Sequence, residues 1–122
     1  MGETPFVVHR HIKGATAHYD LMIRRGERLA TWTFAKMPGE GRVEGRRLFD
    51  HRLRYLEYEG ELGEGKGRTM ILDRGMCDVL WWDEKRVEAV FHGTTLTGRY
   101  YLVRDEKQTW GMASDLEKQG AT

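Results

Sequence analysis

The chain has 122 residues and a mass of 14.2 kDa, a length that predicts one domain over residues 1–122 and leaves no room for a second. Hydrophobic residues at 39% and aromatics at 11% exclude a disordered chain, while 32% charged residues and a mean hydropathy of −0.66 predict a heavily solvated surface. The formal net charge is +1, divided as 11 Lys/Arg against 8 Asp/Glu in residues 1–60 and 9 against 11 in residues 61–122, too mild an asymmetry to define a nucleic-acid binder by itself.

Cys77 is the single cysteine, which excludes an intramolecular disulfide and a thiolate zinc cluster built from this chain. The opening MGETPF has no signal-peptide pattern, and no run of about 18 apolar residues occurs. A cytoplasmic protein with no membrane span is therefore expected.

Short alternating or apolar runs follow one another between glycine-rich breaks, and no 3.6-residue periodicity persists for three turns, so the reading is all-β. In chain order the predicted strands are residues 5–11, 18–24, 29–36, 68–73, 76–82, 86–92, 97–104 and 107–112. Turns are expected at Arg25-Gly26-Glu27 and Arg74-Gly75. Residues 37–47, with Pro38, Gly39, Gly41 and Gly45, and residues 60–67, with four glycines, read as loops. Residues 50–57 between them suit one short helical turn, and the polar tail 114–122 suits fraying or a short helix. Eight short strands fit a small, closed or nearly closed antiparallel β-barrel, which removes exposed edges.

Three of the five histidines fall in the first 18 residues. Residues two apart in a strand share a face, so His18 and Asp20 present an imidazole and a carboxylate side by side. His11 ends the preceding strand, and a short connection through Gly14 folds it back beside His18. Two histidines and one carboxylate form a set that divalent manganese, iron or zinc uses, and imidazoles bind only when neutral, so affinity is expected to fall below about pH 6.5. The same spacing also suits polar residues that merely pair strands, and His9 is open between ligand and bystander. A cupin metal site is excluded, because Ala15 and Thr16 stand where its glutamate belongs.

A second cluster, Asp50-His51-Arg52-Leu53-Arg54-Tyr55, places His51 and Tyr55 four apart, on one face if the turn is helical. Arg46, Arg47, Arg52 and Arg54 surround it, a guanidinium density suited either to gripping phosphate or to a solvated basic loop. Lys36 is a further candidate phosphate contact. Trp81-Trp82 and Tyr100-Tyr101 are expected to send one member of each pair inward. Gly63-Glu64-Gly65-Lys66-Gly67 lacks the spacing of a phosphate loop and reads as a flexible turn.

These motifs together resemble the 3′-phosphoesterase domain of bacterial and archaeal DNA ligase D, which also occurs as a stand-alone protein. The likeness runs through Phe6-Val7-Val8-x-x-His11, His18-Tyr19-Asp20, Trp32 with Lys36, Asp50-His51-x-Leu53-x-Tyr55, Glu59-Gly60, Asp73-x-Gly75 and residues 96–104, so it spans about residues 6–112. The resemblance implies a barrel with one divalent metal, manganese in the first place and zinc or cobalt as alternatives, on His11, His18 and Asp20. It implies that His51 engages the scissile phosphate, with Tyr55 and Lys36 nearby; Arg47, one of the arginines around His51, is a further candidate catalytic residue on the chain's own pattern.

The implied activity is removal of a terminal ribonucleoside or a 3′-phosphate from DNA or DNA/RNA primer ends in repair, leaving a 3′-hydroxyl for a polymerase and ligase of an end-joining system. Other readings are a catalytically weakened module that binds nucleic-acid ends and a hydrolase of small phosphoesters. Four departures stand out. The spacing between the metal histidines is one residue longer than usual, near Lys13-Gly14. Met22 replaces an arginine, Phe49 replaces a glutamate, and residues 1–5 hold no counterpart of the charged arm that many members carry. Arg24, one step further along the face of Met22, is expected to substitute for the missing arginine.

Overall fold

The computed structural model describes residues 2–39 and 41–114. Its strands are β1 (Gly2–Lys13), β2 (Thr16–Arg25), β3 (Arg28–Phe34), β4 (Val43–Arg47), β5 (His51–Arg52), β6 (Gly60–Glu61), β7 (Arg68–Trp82), β8 (Arg86–His92), β9 (Thr97–Arg104) and β10 (Trp110–Ser114). Among the described residues a single 3₁₀ turn, Leu53–Leu56, follows β5. Antiparallel pairing runs β1-β2-β3-β4-β10-β9-β8-β7, and β7 returns to β1, closing an eight-stranded barrel. The two-residue strands β5 and β6 are appended to β3 and β7. Among the described residues no helix is long and apolar enough to cross a membrane.

Alternation along each strand fills the interior. Phe6, Val8, Leu21, Ile23, Trp32, Phe34, Phe91 and Leu102 are among the buried side chains of one cluster, and each such burial contributes about 1.5–3 kcal/mol. Trp32 packs edge-on against Trp82 and Trp110. Cys77 lies in the same interior, where burial pushes its thiol up to about 12. As expected for adjacent aromatics, Trp82 packs against the interior while Trp81 is 44% exposed.

Strand ends shift by one to three residues elsewhere, β3 stops at Phe34 short of Lys36, and the two-residue strands β5 and β6 fall where a helical turn and a loop are expected; three larger differences have identifiable reasons. Residues 43–47 form β4 inside the expected loop: Gly45 lies so close to β3 that a Cβ would strike the Thr33 carbonyl. Residues 68–82 form one continuous strand instead of two, because Gly75 is not a turn residue; a Cβ there would strike the His92 carbonyl on β8. Both glycines serve close backbone approach. The last strand begins at Trp110 because the Asp105 carboxylate accepts the Lys107 and Thr109 amides, 2.8 and 2.9 Å away, and holds 105–109 in a turn. Of the expected polar tail, residues 115–122 lie outside the described residues.

The Asp73-x-Gly75 element serves the fold. The buried Asp73 carboxylate accepts amides from Arg74, Thr94, Thr95 and Leu96 at 2.6–3.0 Å, which closes the β8–β9 connection.

Candidate metal centre

The outer face of the β1–β2 hairpin carries the site. On β1, Phe6 and Val8 point inward, so Val7, His9 and His11 point outward; the register places Met22, Asp20 and His18 opposite them. Val7, Met22 and Leu29 form a second apolar cluster outside the barrel, onto which Leu53, Tyr55, Leu56 and Ile71 pack. That cluster seats the 3₁₀ turn over the hairpin. A β-bulge at Leu72 shifts the register of β7 against β1, so that Ile71 and Thr69 face the site instead of the interior. The Glu59 carboxylate accepts the Ile71 amide at 2.7 Å and so stitches the segment after the turn to this bulge.

His11 and His18 are directly paired across the tight turn through Gly14, as the hairpin reading expects. Their Nδ1 and Nε2 atoms are 2.9 Å apart, and His18 Nε2 is 3.6 Å from Asp20 Oδ1. One ligand atom from each of His11, His18 and Asp20 lies within 4.8 Å of the others. Asp20 is 6% exposed, yet its Oδ1 is buried without a hydrogen-bond partner. A buried carboxylate oxygen left unpaired costs about 1–3 kcal/mol or more, and a shared cation would satisfy it together with the two nitrogens. The donor set and its spacing thus fit a divalent ion, whose bonds to nitrogen and oxygen are about 2.0–2.2 Å.

The second layer is also built. The Lys66 carbonyl lies 2.6 Å from His11 Nε2. A carbonyl only accepts, so Nε2 carries the proton and neutral His11 turns a bare Nδ1 toward His18. Lys66 reaches this position because Gly67, at φ +87°, lies so close to β1 that a Cβ would strike the Ile12 carbonyl. The loop expected to be flexible is thereby docked on the candidate ligand.

His9 is not a ligand in this arrangement. It is 1% exposed, with Nε2 2.7 Å from the Tyr55 carbonyl and Nδ1 2.6 Å from the Thr69 hydroxyl. Nε2–H donates to Tyr55 and Nδ1 accepts from Thr69, so both nitrogens are used. Burial holds the imidazole below its ordinary pKa, in spite of the Tyr55 carbonyl and nearby carboxylates, which raise it.

A cleft of about 610 Å³ opens over these residues, lined by His9, His11, Asp20, Met22, His51 and Tyr55 among others. His51 reaches it from β5, paired opposite Leu29; its nearness to Tyr55, with ring centroids 6.0 Å apart, comes from strand pairing followed by the 3₁₀ turn and not from one helical face. The Phe49 carbonyl lies 2.9 Å from His51 Nδ1, which fixes the proton there and leaves Nε2 for a ligand.

Of the four arginines expected around His51, Arg52 alone lines the cleft. Arg28 and Arg52, with Lys13 and Lys66, line the cleft. Arg28 and Arg52 are direct cross-strand partners, a like-charge juxtaposition that costs stability and concentrates positive potential for an anion. Arg24, Arg47 and Lys36 are not brought to the cleft wall. Arg24 donates from Nε to the Gly26 carbonyl in its own turn. Arg47 lies over Trp32 and donates to the Thr31 and Leu48 carbonyls and to Asp50. Lys36 is exposed beyond the end of β3. The clue to Arg28 was its place beside the Gly26 turn; nothing local marked the Lys66 carbonyl.

A closed antiparallel barrel bearing a His/His/Asp cluster under a cationic cleft is the architecture of a β-barrel protein with a candidate mononuclear metal centre. The family described as "DNA Ligase D 3′-phosphoesterase domain" matches residues 9–104, and the chain belongs to this family. It is 30% identical over 124 residues to the "Multifunctional non-homologous end joining protein LigD" of Mycobacterium bovis, an alignment covering 93% of this chain and 16% of that protein. Identity and coverage are the same for the "Multifunctional non-homologous end joining DNA repair protein LigD" of Mycobacterium tuberculosis strain CDC 1551 / Oshkosh. The chain thus spans about a sixth of the length of these curated relatives. By family it is a phosphoesterase domain.

Proposed function

We propose that the chain hydrolyses phosphoesters at DNA 3′ ends, removing a 3′-phosphate or a terminal ribonucleoside with a divalent ion held by His11, His18 and Asp20. The observation that carries this reading is the buried Asp20 oxygen, without a hydrogen-bond partner, beside two imidazole nitrogens, with Asp20 and His11 lining a cationic cleft. Manganese is the ion the family resemblance implies, and zinc or cobalt suit the same mixed nitrogen and oxygen donors. The bound ion would supply charge neutralisation at a phosphate oxygen and an activated water.

The chain's own residues do the rest. Arg28 and Arg52 attract and grip the phosphate through guanidinium hydrogen bonds. His51, with Nδ1–H held by the Phe49 carbonyl, offers Nε2 to the transferring group and, when protonated, donates there to a phosphate or leaving oxygen. Tyr55 borders the same space, and its backbone is fixed by His9. Arg47 acts on the site by holding Asp50, next to His51. The relatives' names supply the context of non-homologous end joining, and a ligase and polymerase that take over the resulting 3′-hydroxyl are the partners this reading implies.

Primers ending in a 3′-phosphate or a single ribonucleotide, assayed with and without manganese, test the proposal. Wild type should convert both to 3′-hydroxyl ends only with the ion, and Asp20→Ala should lose both ion uptake and turnover. Equal manganese uptake by the two proteins overturns the metal assignment. Equal rates on primers and on nucleotide monomers favour the small-phosphoester reading, and binding without turnover favours the end-binding module.

A further inference from the structure

Phe49 is the most exposed large apolar side chain among the described residues, 79% exposed where the next reaches 45%. A phenyl ring left in water forgoes the free energy of burial, and the neighbouring segment shows burial to be available, since Leu53, Tyr55 and Leu56 all pack onto the outer cluster. Phe49 instead lines the cleft. Its ring lies parallel to that of His51, 4.9 Å between centroids and 8° between planes, and its carbonyl accepts His51 Nδ1–H. One face of the phenyl is thus taken by the imidazole. The opposite face stands open, beside the residue whose remaining nitrogen is free for a ligand.

We propose that Phe49 is a stacking platform for the nucleobase of the nucleotide that carries the scissile phosphate, a proposal that rests on the phosphoesterase reading for what His51 engages. A base is a flat π-system tied to its phosphate by one sugar, so a ring stacked on the phosphate-facing imidazole lies where such a base arrives. Stacking tolerates every base, because each has a π-face, and it distinguishes a nucleotide end from a small phosphoester. The glutamate that the family resemblance expects at this position offers no such face.

The test uses two primers that differ only in the nucleotide bearing the 3′-phosphate, one with 2-aminopurine and one abasic, with wild type, Phe49→Ala, Phe49→Leu and Phe49→Trp. Wild type and Phe49→Trp should quench the 2-aminopurine on binding, measured with the metal removed. Phe49→Ala and Phe49→Leu should not. With manganese, Phe49→Ala should raise KM about fivefold to a hundredfold on the base-bearing primer, the scale of one lost base stack, with kcat nearly kept. The loss should be at least fivefold smaller on the abasic primer.

Equal losses on the two primers would make Phe49 a support for His51 and overturn the platform, as would full activity and quenching in Phe49→Leu. Phe49-dependent quenching in a protein that turns over neither primer would support the platform and overturn the hydrolase reading.

Discussion

The barrel wall made by β1 and β2 has two faces of opposite character. Inside, Phe6, Val8, Leu21 and Ile23 are essentially inaccessible and meet Trp32, Phe34 and Phe91, so the interior gains its stability from apolar area alone. Outside, the same strands present Val7, His9, His11, His18, Asp20 and Met22. Here a three-residue apolar cluster is enough to seat the 3₁₀ turn, and the rest of the surface is spent on polar groups whose partners come from distant segments: Lys66, Tyr55, Thr69. The inner face can therefore tolerate no polar change and the outer face no change of geometry. Stability and the proposed chemistry fall on two sides of one sheet.

The division is sharpest at Trp32, 0% exposed at the centre of a three-tryptophan cluster. Trp32→Ala is expected to cost about 3–5 kcal/mol in denaturant unfolding, and a loss below about 1 kcal/mol would show that the interior is not where the stability resides. The outer face should answer in the opposite way. His51→Ala is expected to lower turnover about a hundredfold or more, equivalent to about 2.7 kcal/mol of barrier, with the melting temperature nearly unchanged; an unfolded variant, or a fully active one, contradicts the separation of the two faces.

A smaller effect probes the second layer. Gly67→Ala should displace the Lys66 carbonyl from His11 and weaken manganese binding about tenfold to a hundredfold. Calorimetric titration reads this directly, and an unchanged affinity would show that the loop does not set the His11 tautomer.

The smallest effect is the pH dependence that His9 adds. Its pKa lies below the ordinary 6.5 in the folded state, so the unfolded chain binds the proton first. Above about pH 6.5 both states are neutral at this group and it contributes nothing; as pH falls below that value stability is lost, until the folded-state imidazole is itself protonated. His9→Gln should flatten this part of the stability curve, measured by denaturation of the metal-free protein between pH 7.5 and 5. A slope identical to wild type would mean that His9 does not remain neutral on the outer face.

Local pattern carried much of this protein. Alternation and the absence of helical periodicity gave an all-β barrel, because burial on one face of a strand imposes a period of two wherever the strand sits in the sheet. The pairing of His11 with His18 and the shared face of His18 and Asp20 follow from the same period and from a tight turn at Gly14, so the candidate ligands were legible within ten residues of chain. Glycine is where local pattern and structure part. Gly45 and Gly75 read as loop and turn, whereas each marks a carbonyl pressing on the strand from a neighbour, and no local signal separates these two uses.

What only the tertiary structure decided was what lies opposite the hairpin. The bulge at Leu72 turns Thr69 toward His9, the docking of Gly67 against Ile12 delivers a backbone carbonyl to His11, and β5 brings His51 across β3 from 40 residues further along the chain than His11. Arg28 lines the cleft, whereas Arg24 bonds the Gly26 carbonyl of its own turn. Each of these contacts depends on sheet closure and register. Those are set by the summed packing of the whole interior, which no single stretch of residues encodes.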